Sequence, residues 1–230
     1  MASSAIHGQH RAAIAQKCAL ATLVLLAVVL SVLLLERPEL VSGVRAWLGA
    51  TDPSETQKVL VEAALIIYFL RSIPALFVFL PRGLGSGEAI GVGVWVILIF
   101  SSFAILTSGQ APWPASGWIG GVLYVFGSVV HSTAEFQRYR WKRRPENKGR
   151  LFTTGLFRYS MHANYLGDSL WSIGLALLVG HWLAWWVPIT MITLFVFVHI
   201  PTLDRHLAQR YGGDFEDYRR HTARLVPLLY

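Results

Sequence analysis

An uninterrupted apolar run over residues 18–35 (CALATLVLLAVVLSVLLL) constrains this chain more than any other feature. The run has no charged side chain and is long enough to cross a bilayer as a helix. Lipid offers no hydrogen bonds to the backbone, so such a segment has to be helical or part of a closed barrel. The composition agrees, since 54% of the residues are hydrophobic and 14% are charged. We therefore expect an all-α, polytopic membrane helix bundle.

Six segments have the length and hydropathy expected of membrane helices. They cover about residues 18–35, 59–80, 89–107, 118–131, 165–179 and 182–200. The fourth continues as a polar helix towards Arg140, and the last two form a hairpin that turns at Gly180 and His181. Amphipathic spacing predicts two further cytoplasmic helices over residues 203–211 and 215–221, the second capped by Asp214.

The distribution of basic residues predicts the orientation. Residues 137–150 (QRYRWKRRPENKGR) carry seven Lys or Arg against one Glu, and the segment 205–224 is also rich in Arg. The positive-inside rule places both segments in the cytoplasm. With six helices the N-terminus lies on the same side as the C-terminus. The net charge of +7 is explained in this way, and no recognition motif for nucleic acid accompanies it.

Several weaker patterns have simpler structural explanations. Cys18 is the only cysteine, which excludes an intrachain disulfide. The glycine-rich residues 83–87 (GLGSG) join two membrane helices, so they form a turn rather than a dinucleotide-binding loop. His131 and Glu135 are four residues apart on one helix, but the spacing suggests no third metal ligand, and we expect a polar pair at the helix end. We expect no metal site.

Glu62 is unusual because it lies within the second apolar segment. An ionisable group in a membrane helix costs about 2.5–3.5 kcal/mol at the bilayer centre on insertion scales. Arg71 is nine residues further on, about 13 Å along a helix axis, so the two side chains cannot pair within that helix. Glu62 therefore either reaches the headgroups or has a functional role.

The densest group of polar side chains is in residues 157–168 (FRYSMHANYLGD). If a helix begins near residue 163, Asn164 and Asp168 lie on one face with Tyr165 beside them. Amide, phenol and carboxylate groups suit a ribose, an amide and an aromatic ring. The preceding Arg and Lys residues suit phosphate. The alternative is that the basic residues only set the topology and the polar ones cap a helix.

Residues 155–168 (GLFRYSMHANYLGD) and the ending 204–230 resemble the signature and C-terminal tail of membrane sterol reductases and steroid 5α-reductase-like proteins. The same superfamily contains isoprenylcysteine and phospholipid methyltransferases, which use S-adenosylmethionine. Asn164 and Asp168 match the reductase pattern, whereas Met161 and Ala163 replace its usual Arg and Pro. The resemblance covers about residues 137–230. It implies three regions: an anchor helix and loop (1–56), central membrane helices (57–136) and a cofactor-binding region (137–230).

The resemblance implies an NADPH-dependent oxidoreductase that reduces a C=C bond of a sterol-like or other lipophilic substrate taken from the bilayer lipids. Tyr165 and Glu62 are the candidate catalytic acids. The implied cofactor-binding residues are Arg140, Lys142, Arg143, Arg158, His162, Asn164, Tyr165, Asp168, Asp204, Arg205 and Tyr218. The alternatives are an S-adenosylmethionine-dependent membrane methyltransferase and a non-catalytic lipid-binding membrane protein.

Overall fold

The computed structural model describes residues 3–80, 82–109, 115–227 and 229, with side chains from residue 14 onward. Within these residues nine α-helices follow one another: α1 (Ser3–Glu36), α2 (Ser42–Leu48), α3 (Glu55–Pro74), α4 (Ser86–Leu106), α5 (Ala115–Lys142), α6 (Ala163–Val179), α7 (Trp186–Leu194), α8 (Ile200–Tyr211) and α9 (Gly213–His221). A π-helical turn, Ala75–Phe79, extends α3, and another, Phe195–His199, joins α7 to α8. The predicted tail ending is described only in part, because residues 228 and 230 lie outside the described residues, as do residues 110–114, which lie between the third and fourth predicted membrane segments.

Four helical stretches of the described chain are long and apolar enough to cross a membrane. They are Ile14–Glu36, Glu55–Phe79, Ser86–Leu106 and Trp182–Tyr211. The predicted all-α membrane bundle is therefore confirmed. The fourth and fifth predicted segments are present as α5 and α6 but are not among these four stretches. The first half of α5 contains several glycine and serine residues, which lower its mean hydropathy, and α6 has only 17 residues.

Two predicted boundaries in the C-terminal region are wrong. The helical stretch that begins at Trp182 continues to Tyr211, although a break near residue 200 was expected. Pro201 lies in the first turn of α8, where a missing backbone N–H is tolerated, and a π-helical turn directly precedes that helix. Asp214 does not cap α9 either. The N-cap is Gly212, at φ +53°, and Asp214 lies within the first turn.

The chain divides into two compact units. The first comprises Met1–Trp118 with Leu175–Ala184, and the second comprises Ile119–Gly174 with Trp185–Tyr230. In the first unit, α1 packs against α3 and α4 around fully buried Leu65, Phe100 and Phe103. One end of this unit is fastened by Arg45, which is buried and donates to the carbonyl oxygens of Ile105, Thr51 and Thr107 at 2.7–3.1 Å.

In the second unit, α5 and α6 pack with their backbones in close approach. A Cβ atom on Gly127 would lie 2.4 Å from the backbone nitrogen of Trp171, and one on Gly167 would lie 2.5 Å from that of His131. Gly174, seven residues after Gly167, meets Tyr124 in the same way. Small residues of this kind allow membrane helices to approach closely enough for extensive van der Waals contact. This contact fixes the start of α6, where the conspicuous polar segment lies.

Candidate functional site

The polar segment 155–162 forms a short connection that leads into α6. Gly155 adopts φ +65°, and the Gln137 side chain accepts a hydrogen bond from the Leu156 backbone N–H at 2.9 Å. A Cβ atom on Gly155 would lie 2.3 Å from that same Gln137 oxygen, so both the conformation and the space favour glycine. Phe157 is buried against Ala134 and Ala163, which anchors the segment to α5 and α6.

The C-terminal tail is hydrogen-bonded along this segment. The Met161 backbone N–H donates to the Ala223 carbonyl at 2.8 Å, and the Ser160 hydroxyl donates to the Leu225 carbonyl at 2.7 Å. Tyr218 on α9 donates its phenol to the Phe157 carbonyl at 2.5 Å. Burial raises the pKa of the Tyr218 phenol, so this group remains a donor at neutral pH. We call these three bonds the tail clamp.

A buried ionic group lies beneath the tail clamp. His162 Nε2 is 2.9 Å from Asp204 Oδ1, and the His162 side chain is almost fully buried. Arg224 reaches the other carboxylate oxygen with both Nε, at 3.0 Å, and Nη2, at 2.7 Å. Since Arg224 holds the carboxylate in its ionised form, the His162 nitrogen donates to it. The group ties together α8, the start of α6 and the tail.

A second carboxylate of the candidate site, Asp168, lies in the contact between α5 and α6. Its Oδ1 accepts from the Trp171 indole N–H at 2.7 Å and is 2.9 Å from His131 Nδ1. Glu135, one turn along α5 from His131, binds Arg138 instead. No group of three His, Cys, Asp or Glu side chains in the described part of the chain could hold a metal ion. His131 and Glu135 therefore do not form the expected polar pair at a helix end: both lie within α5, and each binds a different partner.

A cavity of about 220 Å³ opens beside the tail clamp. We call it the first cavity. Its polar walls carry Arg138, Lys142, Arg150, Arg210, His162 and His206. Aromatic walls are provided by Trp141, Phe152, Phe157, Tyr211 and Tyr218, and apolar walls by Leu203 and Leu207 among others. All of these residues belong to the second unit.

The first cavity is strongly basic. Among the described residues that line it there are four Arg or Lys side chains and no Asp or Glu. Of these four side chains, Arg138 is the one that pairs with a carboxylate of the described residues, that of Glu135. Loss of water around Lys142 lowers its pKa, and the neighbouring Arg138 and Arg210 guanidiniums lower it further. An anionic group bound here would relieve that repulsion.

The structure separates the residues that the sequence grouped together. Lys142, His162, Asn164 and Tyr218 line the first cavity. Arg140 lines a different cavity. Arg143 stacks on Tyr139, and the side chains of Arg158 and Arg205 are exposed. Asp168 and Asp204 hold other protein groups, and Tyr165 stacks between His162 and Phe195 with ring centroids 5.6 and 4.7 Å away.

Glu62, the other candidate acid, belongs to α3 of the first unit. It lies one turn after Lys58, which is held by Glu55 at 2.7 Å. Arg71 places its guanidinium 4.7 Å over the Tyr68 ring. The expectation that Glu62 and Arg71 do not pair within α3 agrees with these positions.

Three basic or imidazole side chains that line the first cavity were not predicted from the sequence: Arg150, His206 and Arg210. Arg138, which also lines it, belongs to the basic residues that were expected to bind phosphate, and Arg150 lies at the end of the same basic segment. His206 and Arg210 are four residues apart on α8, so they lie on one face of it. That spacing is visible in the sequence and could have identified this face of α8.

Comparison with known proteins gives one family and two relatives. Residues 90–223, more than half of the chain, match the family described as Protein of unknown function (DUF1295). The chain is 33% identical over 105 residues to Probable O-methyltransferase ustE of Ustilaginoidea virens, covering 44% of this chain and 36% of that protein. It is 27% identical over 79 residues to Protein-S-isoprenylcysteine O-methyltransferase of Schizosaccharomyces pombe, 34% of each chain. The chain thus spans about a third of the length of these curated relatives.

Proposed function

We propose that this chain, a member of the DUF1295 family of the steroid 5α-reductase-like superfamily, is an integral membrane methyltransferase. It would use S-adenosylmethionine to methylate a carboxylate of a lipophilic acceptor. The observation that carries the proposal is the small volume of the first cavity, about 220 Å³, lined by four basic side chains and no acidic one among its described residues. The names of the two relatives support the same reaction class.

The size of the first cavity favours the smaller of the two cofactors. Its volume of about 220 Å³ is below the roughly 300–1,000 Å³ of typical ligand pockets. S-adenosylmethionine contains one nucleoside and an amino-acid chain, whereas NADPH contains two nucleosides joined by a pyrophosphate. Trp141, Phe152 and Tyr211 offer aromatic faces for an adenine ring. The fit is therefore better for the smaller cofactor.

The charge of the first cavity fits a carboxylate acceptor. When bound, S-adenosylmethionine supplies a methyl group on a sulfonium, and the C–S bonding electrons stay on sulfur as the methyl moves to a carboxylate oxygen. A carboxylate is already ionised at neutral pH, so this transfer needs no general base. Lys142, Arg150 and Arg210 would hold two anions: the carboxylate of the cofactor and that of the acceptor.

The protein's contribution would be to bind, orient and exclude water. The tail clamp holds Tyr218 and Phe157 together at the wall of the first cavity. The buried group of His162, Asp204 and Arg224 fixes His162 at the same wall. Holding two reactants in the correct geometry can supply several kcal/mol of a barrier, about 7–11 kcal/mol in the best cases. The proposal places this cavity at the cytoplasmic end of the bundle, where the positive-inside rule puts residues 137–150.

A ligand-binding measurement tests which cofactor the protein uses. We expect S-adenosylmethionine and S-adenosylhomocysteine to raise the thermal unfolding temperature of the protein in detergent micelles, with NADPH having no effect. Arg210→Gln removes one cation from the first cavity and should weaken S-adenosylmethionine binding about tenfold. Arg205→Gln on the same helix is the matched control, because Arg205 is exposed and does not line the cavity. Equal losses in the two variants would contradict the assigned site.

A methyl-transfer assay tests whether the acceptor group is a carboxylate. The probe is N-acetyl-S-farnesylcysteine, chosen because the name of the S. pombe relative describes an isoprenylcysteine. Tritium from labelled S-adenosylmethionine should enter the free acid and not its methyl ester, which has no carboxylate to modify. Transfer of label to both compounds would contradict a carboxylate acceptor.

An NADPH-dependent C=C reductase is the second candidate. The four basic side chains of the first cavity favour it, because NADPH carries several phosphate charges. Against it, the two candidate acids, Tyr165 and Glu62, are not among the lining residues of that cavity. Stabilisation by NADPH without any response to S-adenosylmethionine would replace our proposal with this one. No response to either would favour a non-catalytic lipid-binding protein.

A further inference from the structure

A second cavity, of about 310 Å³, lies on the other side of Trp141 and Phe152, which line both cavities. Its basic residues are Arg140 and Arg144, and it is also lined by Phe136 and Gln137. The basic segment at the end of α5 therefore contributes to two separate sites. The methyltransferase proposal uses only the first.

The second cavity continues an apolar stripe on α5. Val122, Val125, Val129 and Phe136 are all exposed, by 73%, 53%, 56% and 45%. Their spacing of three, four and seven residues places them on one face of the helix, and a further step of four reaches Arg140. Arg144 lies two residues beyond the end of α5 and lines the second cavity together with Arg140. The stripe thus changes from apolar to basic along a single face.

The two ends of this stripe match the two parts of an anionic phospholipid. Arg140 and Arg144 are exposed, and no described carboxylate lies within ion-pair distance of either guanidinium. The Arg140 guanidinium is 5.6 Å from the Phe136 ring, at the junction of the two parts. Arginine binds phosphate in a forked geometry, and exposed valines along a membrane helix suit an acyl chain.

We propose that the face of α5 from Val122 to Arg140, together with Arg144 just beyond the helix, binds one anionic phospholipid. Its phosphate would lie on Arg140 and Arg144 and an acyl chain along Val122, Val125, Val129 and Phe136. This site goes beyond the proposed methyltransferase activity and is independent of it. A lipid held here would support the Trp141 and Phe152 wall of the first cavity from its other side.

Native mass spectrometry of the protein, purified in a neutral detergent, tests this site. Phosphatidylglycerol and phosphatidylcholine are added in equal amounts, and the bound lipids are counted. The wild-type protein should retain phosphatidylglycerol preferentially. The double variant Arg140→Gln, Arg144→Gln should reduce that preference about 30-fold, the combined effect expected of two cations near a membrane surface.

The matched control is Arg143→Gln with Lys148→Gln. It removes the same charge from the same segment, but neither residue lines the second cavity. It should leave the preference within about twofold of wild type. Equal losses in the two double variants would overturn the site and leave only diffuse attraction. If the double variant fails to fold, each single variant should still lose about fivefold, and no loss in either would also overturn the site.

Soluble glycerol 3-phosphate distinguishes a lipid from a free phosphate. At millimolar concentration it should not displace phosphatidylglycerol, because it lacks the acyl chain that lies along α5. Full displacement would show that the second cavity recognises phosphate alone and would overturn the lipid assignment.

Discussion

The carboxylates Asp168 and Asp204 have the same predicted role but occupy two different regions of the second unit. Asp168 lies in the contact between α5 and α6, where it accepts from Trp171 and His131 with 19% of its side chain exposed. Asp204 lies beneath the tail clamp, where it binds His162 and Arg224 with 7% exposed. Neither lines the first cavity.

The difference lies in what each carboxylate supports. The contact between α5 and α6 also rests on close backbone packing at Gly127, Gly167 and Gly174, so Asp168 adds to an interface that has other support. Beneath the tail clamp, Asp204 joins three separate segments through a partly exposed cation and a buried histidine. The motif resemblance therefore selected two carboxylates that both bind other protein groups, and their role in cofactor binding stays a prediction.

The largest effect is expected from Asp204→Ala. The substitution leaves buried His162 without its partner and the 33% exposed Arg224 without its ion pair. The cost is about 3 kcal/mol of unfolding free energy, at the low end for a buried pair because Arg224 keeps contact with water. Unfolding in mixed micelles with increasing sodium dodecyl sulfate, followed by tryptophan fluorescence, measures this loss. Asp217→Ala on α9 is the control, because that carboxylate is 77% exposed. A loss below about 1 kcal/mol would show that the tail does not depend on Asp204.

The next largest effect is expected from Gly167→Ala in the other region. The added methyl group would overlap the backbone of His131, and overpacking of this kind costs about 1–3 kcal/mol. Gly213→Ala is the control, since no atom lies within 4 Å of the position of its Cβ. The same denaturation measurement applies. Equal stability of the two variants would mean that the glycines do not set the spacing of α5 and α6.

Asp168→Ala should have a smaller effect than either. It removes two hydrogen bonds from a partly exposed contact, at a cost of about 1–2 kcal/mol. Asp168 does not line the first cavity, so cofactor affinity should change less than about threefold once the variant is folded. Abolished binding in a folded Asp168→Ala protein would restore this carboxylate to the cofactor site, as the sequence motif predicted.

The sequence was sufficient for the helical fold because membrane spans are specified by long local runs of apolar residues. Residues 18–35 and the Gly180–His181 turn are examples, and both lie in the predicted elements. The sequence was not sufficient to predict which residues line the first cavity. That lining depends on which residues of segments far apart in the sequence face the same space in the fold. Lys142 and Arg140 are two residues apart, yet helical geometry directs them to different cavities.

The glycine contact between α5 and α6 also had a signal in the sequence. Gly167 and Gly174 are seven residues apart, two helical turns, and Gly120 and Gly127 have the same spacing. Such a repeat predicts a small-residue packing face in a membrane helix. The repeat alone does not predict that α5 packs against α6, because any two helices with such a glycine face could pack together.

The smallest effect concerns the pH dependence of the tail clamp. Burial raises the pKa of the Tyr218 phenol in the folded protein above its value of about 10 in the unfolded chain. Above pH 10 the unfolded chain therefore releases a proton that the folded protein keeps, so stability is present below that pH and falls as the pH rises further. Tyr218→Phe should cost about 1 kcal/mol at pH 8, from the lost hydrogen bond to Phe157, and should remove this alkaline decline.

Denaturation from pH 8 to 11 measures both effects, with Tyr159→Phe as control because Tyr159 is 63% exposed. An unchanged alkaline slope in Tyr218→Phe would contradict a buried phenol in the tail clamp and would leave Asp204 as the main link between the tail and the first cavity.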